Sequence, residues 1–507
     1  MDKTVVDAAR AAFPADPQSL TLGALIHSGE CMPEPLIRLP LPMTNRHGLI
    51  AGATGTGKTR TLQLMAEQLS RAGVPVFLAD LKGDLSGLGA PGESNDKIAQ
   101  RAKETGYAWK PMAAPIELLS LTGQGGAQLR ATVSSFGPLL LSKVMGLNDT
   151  QSSALSMVFK YCDDRKLPLL DFPDLRAVLQ YLTTDGAGDL RDYGNLAKTT
   201  VGVLLREMVE LEQQGAQAFF GEPEFDLHDL LVQRDGQGLV SVLELRDVQD
   251  RPALFSTFMM WTLARLYHDL PEVGDLDKPK LVFFFDEAHL LFDDASKGFL
   301  DQVTQVVRLI RSKGVGVFFI TQSPKDIPDD VLGQLGNRVQ HALRAFTPDD
   351  EKALRAAART FPRTDFYDVG ETLTTLGIGE AFVTVLAPNG APTPPFSARI
   401  VPPSARMGPL DDADMRQRLA ASAQVKEYAQ AVDRESAREM LAARMAPAAS
   451  APAGSAAAPR GRSVKEPPST FEEILKSPVV RTVAGQVTRG LLGALLGSPS
   501  RRRRTYY

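Results

Sequence analysis

Short apolar runs alternate along the chain with stretches whose apolar residues recur every three to four positions. The runs lie at residues 48–51, 74–79, 114–119, 238–245, 281–285, 315–321 and 338–345. Runs of that length suit strands covered on both faces, as in a parallel sheet. The segment 281–285, Leu-Val-Phe-Phe-Phe, has no polar residue and predicts a central strand. Helical spacing occupies 59–73, 251–268, 299–313 and 348–359, with Pro252 marking a first turn. Strand, helix and strand in succession predict an α/β fold with a doubly wound parallel sheet.

Around that core the pattern changes in blocks. Residues 1–46 read as a short lead-in with two strands, at 20–27 and 35–41. The core occupies 47–124 and resumes over 236–402. Between them, 125–235 has helical spacing at 127–144, 150–164, 173–182 and 195–214, which predicts a helical insertion. A charged helix is expected over 403–446, mainly 411–445. Residues 447–469, rich in Ala, Pro, Ser and Gly, read as a flexible linker. The last block, 470–507, reads as a Gly-rich helical module that ends in the run Arg501–Arg504.

Composition narrows the class. Hydrophobic residues make up 43% of 507, enough for a large core. Lys and Arg number 56 against 60 Asp and Glu, a net charge of −4, so bulk positive charge does not coat a polyanion. A local basic channel stays open. Cys31 and Cys162 are the only cysteines, which excludes a disulfide framework and a cysteine-rich metal site. The N-terminal stretch carries acids and lacks the apolar core of a secretory signal. No segment has 18 consecutive apolar residues, so no transmembrane anchoring is expected. These features predict a soluble, cytoplasmic protein.

The chemistry concentrates at strand ends. Gly52-Ala53-Thr54-Gly55-Thr56-Gly57-Lys58-Thr59 matches G-x-x-x-x-G-K-[ST] between a strand and a helix. Glycines let backbone amides approach phosphate oxygens, and the following helix adds its positive N-terminal end. The motif assigns Lys58 to the β- and γ-phosphates and Thr59 to Mg²⁺; Arg60 completes the nucleotide-binding set. Asp286 and Glu287 end the 281–285 run, at the edge where α/β sheets bind ligands. There Asp286 suits metal binding and Glu287 suits polarising an attacking water. His289 reads equally as a coupling residue or a structural one. Gln322, at the end of another strand, is a candidate γ-phosphate sensor; an ordinary turn residue before Pro324 is the alternative. Arg308 and Arg311 share a helix face. An arginine from a neighbouring subunit can stabilise a transferring phosphoryl group; a solvated face is the plainer reading.

Together these residues resemble the HerA/FtsK class of motor ATPases. The resemblance rests on residues 47–59, Asp286-Glu287-Ala288-His289, Arg311-Ser312-Lys313-Gly314-Val315-Gly316, Thr321-Gln322-Ser323-Pro324 and the stretch Asp80-Leu81-Lys82-Gly83-Asp84-Leu85-Ser86-Gly87. It spans about residues 35–400 and is nearest to HerA-like bacterial proteins. It implies a RecA-like P-loop fold, a homo-hexameric ring, ATP at subunit interfaces and DNA in a central pore. It carries Lys58 and Thr59 to nucleotide and Mg²⁺, Asp286 to metal, Glu287 to water activation and Gln322 to γ-phosphate sensing. It places Arg311 where HerA proteins have an arginine reaching the next subunit, with Arg308 and Arg344 as spares. The β-barrel of archaeal HerA is not expected in the residues ahead of the loop, which departs from the family pattern and argues against docking of a NurA-type nuclease; a nuclease or other protein partner is kept as an alternative.

Two functions follow: an ATP-hydrolysing DNA translocase, or an ATP-dependent scaffold or switch that binds a protein partner. The candidate pore segments are 80–88, with Lys82, and 293–298, with Lys297. In the tail, Gly490, Gly493 and Gly497 fall near one helical face at 483–497. Docking helix, membrane-surface helix and frayed tail all remain readings of it.

Overall fold

The computed structural model describes residues 3–445, apart from 191–192, 275, 293–296, 346 and 433. The expected linker, the Gly-rich tail with its arginine run and most of the 293–298 segment lie outside the described residues. In chain order the first strands are β1 (Ser19–His27), β2 (Glu30–Pro40), β3 (Gly48–Ala51), β4 (Val76–Asp80), β5 (Ile116–Ser120), β6 (Ala127–Gln128) and β7 (Gln233–Arg234). The others are β8 (Gln237–Gly238), β9 (Val240–Glu244), β10 (Leu281–Phe285), β11 (Val315–Thr321), β12 (Asn337–His341), β13 (Glu380–Thr384) and β14 (Phe396–Ile400). One sheet has the order β2-β1-β14-β13-β12-β3-β11-β10-β4-β9-β5-β6, and β7 and β8 form a separate hairpin. Pairing is parallel from β12 through β6. It is antiparallel from β12 out to β2.

The central strands are apolar on both faces because helices cover both. Phe77, Phe283, Phe285 and Phe319 pack with Phe258 and Trp261 of helix Pro252–Asp269 and with Val303 and Val307 of helix Lys297–Ile310. On the other face Leu78, Val282, Phe284 and Phe318 meet Leu62, Met65 and Leu69 of helix Lys58–Arg71. Phe283, Phe284 and Phe285 expose no surface. Burying each such ring contributes roughly 2 kcal/mol. Since all parallel strands run the same way, their C-terminal ends share one edge.

The outer blocks depart from the simplest reading. Residues 3–46 are integral to the sheet: β1 is buried along most of its length, and Val5 and Ala9 of helix Lys3–Ala12, with Phe13 just past its end, join the core. Residues 125–235 hold the helices Val133–Val144, Asp149–Arg165, Phe172–Thr183 and Lys198–Gln213. They also supply β6, which pairs with β5 where helical spacing predicts a helix start, and β7, the first strand of the hairpin. The charged stretch 411–445 is three short helices, Asp412–Ala421, Ala423–Tyr428 and Ala437–Met445. The first break has a local cause: the Ser422 hydroxyl accepts from the Val425 amide at 3.0 Å, starting a new helix. Between β14 and these helices the chain crosses the helix that follows the phosphate loop. The Glu67 carboxylate accepts from the Ser404 and Ala405 amides at 2.8–2.9 Å and fixes that crossing.

One buried amide ties three segments together. The Asn337 side chain donates to the Met43 and His47 carbonyls, both at 2.9 Å, and accepts from the Leu386 amide at 3.0 Å. Asn337→Leu leaves those partners unmatched in the interior and should cost about 3 kcal/mol. Urea unfolding checks this; a loss below about 1 kcal/mol would show that water or rearrangement satisfies the three groups.

Candidate nucleotide site

β3 ends at Ala51, and residues 52–57 turn over its tip into helix Lys58–Arg71. Glycine is required here partly by close packing. A Cβ on Gly52 would lie 2.6 Å from the His341 Cβ, and one on Gly57 3.3 Å from the Gly379 Cα. Both glycines also have positive φ, 150° and 122°. The Gly379 amide donates to the Thr56 carbonyl at 2.9 Å, fastening the loop to the segment before β13. Lys58 folds back over the loop, its Nζ donating to the Gly52 and Ala53 carbonyls at 2.7 and 3.3 Å. Burial pulls the Lys58 pKa down, against the opposing pull of Glu287.

His341 stands behind the loop with no exposed surface. Its Nδ1 lies 2.8 Å from the Glu380 carbonyl and its Nε2 2.9 Å from the Thr61 hydroxyl. A carbonyl only accepts, so Nδ1 carries the proton and Nε2 accepts from Thr61. Burial lowers its pKa to about 4, so the ring is neutral near pH 7.

The acidic pair sits two strands from the loop, with β11 between them. Asp286 is buried, and its Oδ1 accepts from the Glu287 amide at 3.0 Å. Its Oδ2 is buried and has no hydrogen-bond partner. Burial raises its pKa to about 6. An orphaned carboxylate oxygen suits a hard cation or its water. Among the described residues no three His, Cys, Asp or Glu side chains cluster to hold a metal alone. Thr59 and Asp286 are the side chains that would hold a Mg²⁺, with Asp286 offering its unpartnered oxygen.

Glu287 adopts a left-handed backbone, φ 49°, uncommon for a residue with a Cβ. The turn is held by the Ala288 amide donating to the Ile320 carbonyl at 2.8 Å. The Glu287 Oε1 is 2.5 Å from the Lys82 Nζ, and Oε2 is 3.5 Å from the His289 Nδ1. Burial alone would raise the Glu287 pKa, but the Lys82 hydrogen bond and charge hold it below the usual range. His289 thus lies beside the pair, leaving both of its readings open. Lys82 follows β4, whose Asp80 is buried and accepts from the amides of Gly83, Asp84 and Leu85 at 2.7–3.3 Å.

Gln322 is exposed just past β11. With Ala53, His289, Lys325 and Arg344 it lines a cavity of about 410 Å³ beside the loop. The preceding Thr321 donates its hydroxyl to Asp326 at 2.6 Å, which fixes that turn. Arg60 donates to the Gln63 Oε1 at 3.0 Å along the helix. Arg308 and Arg311 lie elsewhere: Arg311 begins the 3-10 turn Arg311–Lys313 before β11. The length of β11 separates it from the loop edge, about 20 Å at the usual strand rise. Arg308, Arg311 and Ser312 line a second cavity of about 340 Å³. Arg344 is on the loop edge and donates to the Thr374 carbonyl at 2.9 Å.

Reasoning from sequence passed over His341, the Lys82–Glu287 contact and the Asp80 cap. His341 closes a strand and carried no motif signal. The Lys82–Glu287 contact joins the ends of β4 and β10, adjacent in the sheet and 205 residues apart in the chain, whereas the Asp80 cap is local to the loop after β4.

A parallel sheet with a glycine loop at one strand tip and an acidic pair at another defines a P-loop ATPase. The chain belongs to the HerA-like helicase family: the family described as Helicase HerA-like C-terminal matches residues 27–504. A probable DNA double-strand break repair helicase HerA of Methanocaldococcus jannaschii is 22% identical over 370 residues, covering 67% of this chain and 69% of its own. A probable helicase of the same organism is 26% identical over 154 residues, and this chain spans only 28% of its length. Among solved structures, the unbound bacterial conjugative coupling protein TrwBdeltaN70 shares the fold, with a TM-score of 0.51 at 15% identity. That match covers 79% of this chain and 92% of the other. Among the described residues no helix is long and apolar enough to cross a membrane.

The neutral His341 predicts a pH signature. Its pKa is about 4 in the folded chain and 6.5 in the reference state, so the unfolded chain binds the extra proton between those values. The stabilisation is complete above about pH 6.5 and lost as pH falls through 4. The stability difference between wild type and His341→Gln should therefore be largest at pH 7.5 and shrink by about 2 kcal/mol by pH 5. Urea titrations at the two pH values measure it; a constant difference would mean the ring is not held neutral.

Proposed function

We propose that this chain is an ATP-driven DNA translocase that works as a homo-hexameric ring, with ATP between subunits and DNA in the central pore. In this reading residues 52–60 bind the triphosphate, with Lys58 neutralising its β- and γ-oxygens. Thr59 and Asp286 would hold Mg²⁺, which would supply further neutralisation of phosphate charge. Glu287 orients the attacking water and takes its proton, and Gln322 contacts the γ-phosphate from the cavity it shares with Ala53. The water attacks in line, so binding and orientation carry most of the rate.

The observation that supports a ring most directly is the position of Arg311. It stands across the sheet from its own phosphate loop, so its guanidinium serves hydrolysis only at a neighbour's loop. Arg344 is on the loop edge of the same protomer, and the two arginines make different predictions. A ring mixing Arg311→Ala with Glu287→Gln subunits should regain activity, because some interfaces then combine an intact Glu287 with an intact Arg311. Mixed rings as inactive as either parent would remove Arg311 from the reaction and leave Arg344 as the candidate. ATP turnover should also rise about tenfold on adding duplex DNA, a barrier lowered by roughly 1.4 kcal/mol. A rate indifferent to DNA would favour the ATP-dependent scaffold.

A further inference from the structure

Among the described residues Lys82 is the lysine whose ammonium touches Glu287. The pair is asymmetric: the Lys82 side chain is 47% exposed and that of Glu287 only 7%. The cation can therefore change partners at the surface, while the carboxylate stays in place. Burial lowers the Lys82 pKa, but the hydrogen bond to Glu287 and the charges of Asp286, Glu287 and Asp84 outweigh it and raise the pKa above its usual value. On the other side of Glu287 stand His289 and Lys58.

The lysine is presented by a rigid loop. Asp80 holds the amides of residues 83–85, and the Gln249 side chain donates to the Leu81 carbonyl at 2.6 Å. Gly83 packs so closely on Arg246 that a Cβ would lie 2.2 Å from its Nε. The loop thus fixes where the ammonium can go: onto Glu287, or outward from the sheet edge.

We infer that Lys82 is a latch on Glu287 that duplex DNA opens: a DNA phosphate draws the ammonium outward and frees the carboxylate to act on water. The inference rests on the reading of Glu287 as the water-orienting base. A carboxylate oxygen held by an ammonium is a weaker acceptor and a weaker base. DNA phosphates are dense along the duplex, so a lysine on a pore segment meets one at each advance. Lys82 is then a positioning residue, which ties hydrolysis to the presence of track.

The test compares the full-length wild type with Lys82→Ala, Lys82→Arg and Glu287→Gln, each with and without duplex DNA. Lys82→Ala should raise the DNA-free kcat about tenfold, the worth of one charge-assisted hydrogen bond, while KM for ATP is unchanged. Its further stimulation by DNA should nearly vanish, and Lys82→Arg should restore the restraint and the DNA response. A DNA-free kcat at or below wild type in Lys82→Ala overturns the latch, as does undiminished DNA stimulation. A raised KM for ATP would assign Lys82 to the nucleotide's own phosphates and overturn DNA as the opener. A wild type whose rate DNA does not change overturns it too. Glu287→Gln reports separately: if it hydrolyses ATP normally, the base assignment falls, and the latch falls with it. Unchanged melting of Lys82→Ala, expected for a half-exposed side chain, excludes misfolding as the cause.

Discussion

The phosphate loop keeps its shape only while an uncharged imidazole stands behind it. His341 ends β12, touches the first turn of the following helix through Thr61 and reaches the strand beyond through the Glu380 carbonyl. Gly52 and Gly57 lie against that ring or its backbone, where no Cβ fits. The glycines therefore answer two demands, approach to phosphate and close packing on a histidine. Protonating the ring would turn its acceptor face on Thr61 into a donor and place a buried cation near Lys58. Burial of the ring prevents this by making the charged form costly.

The same edge of the sheet must hold carboxylates and ammoniums a few ångströms apart with little water. Asp80 solves its share by capping its own loop with three amides. Asp286 retains an oxygen with no partner, and Glu287 shares its charge with Lys82. The left-handed backbone at Glu287 costs of order 1 kcal/mol and persists because neighbouring hydrogen bonds fix the turn. Such tension is found where a site is built before its ligand arrives, so that little rearrangement remains for the reaction itself.

What could be read from the chain divides along a physical line. The glycine loop, the Phe-rich strand and the acidic pair are local: the chemistry of each sits within a few consecutive residues. The central parallel strands were legible for the same reason, since a strand buried on both faces must be apolar throughout. The antiparallel flank was less so. β1 was visible as an apolar run, but its pairing with β14 joins segments more than 370 residues apart. Likewise β6 borrows residues that sit on an apolar face with helical spacing; its pairing with β5 outweighs local preference. His341 and the Lys82–Glu287 pair depend on which strand tips become neighbours, which only the sheet order settles.

That order also constrains how an arginine can serve the reaction. β11 lies between β3 and β10, so its C-terminal end brings Gln322 close to both the loop and the acids, while its N-terminal end carries the Arg311 turn away from them. No side-chain rotation spans the strand between. Beyond Arg60 of the loop's own helix, a guanidinium for the phosphates then comes from the Arg344 side of the same protomer or from another copy of the chain. The first route requires Arg344 to exchange the Thr374 carbonyl for the cavity. The second requires the face carrying Arg308 and Arg311 to meet a neighbour's loop. The second route makes hydrolysis depend on the assembly. On that route the dependence would follow from the sheet, which places the two ends of one strand on opposite edges.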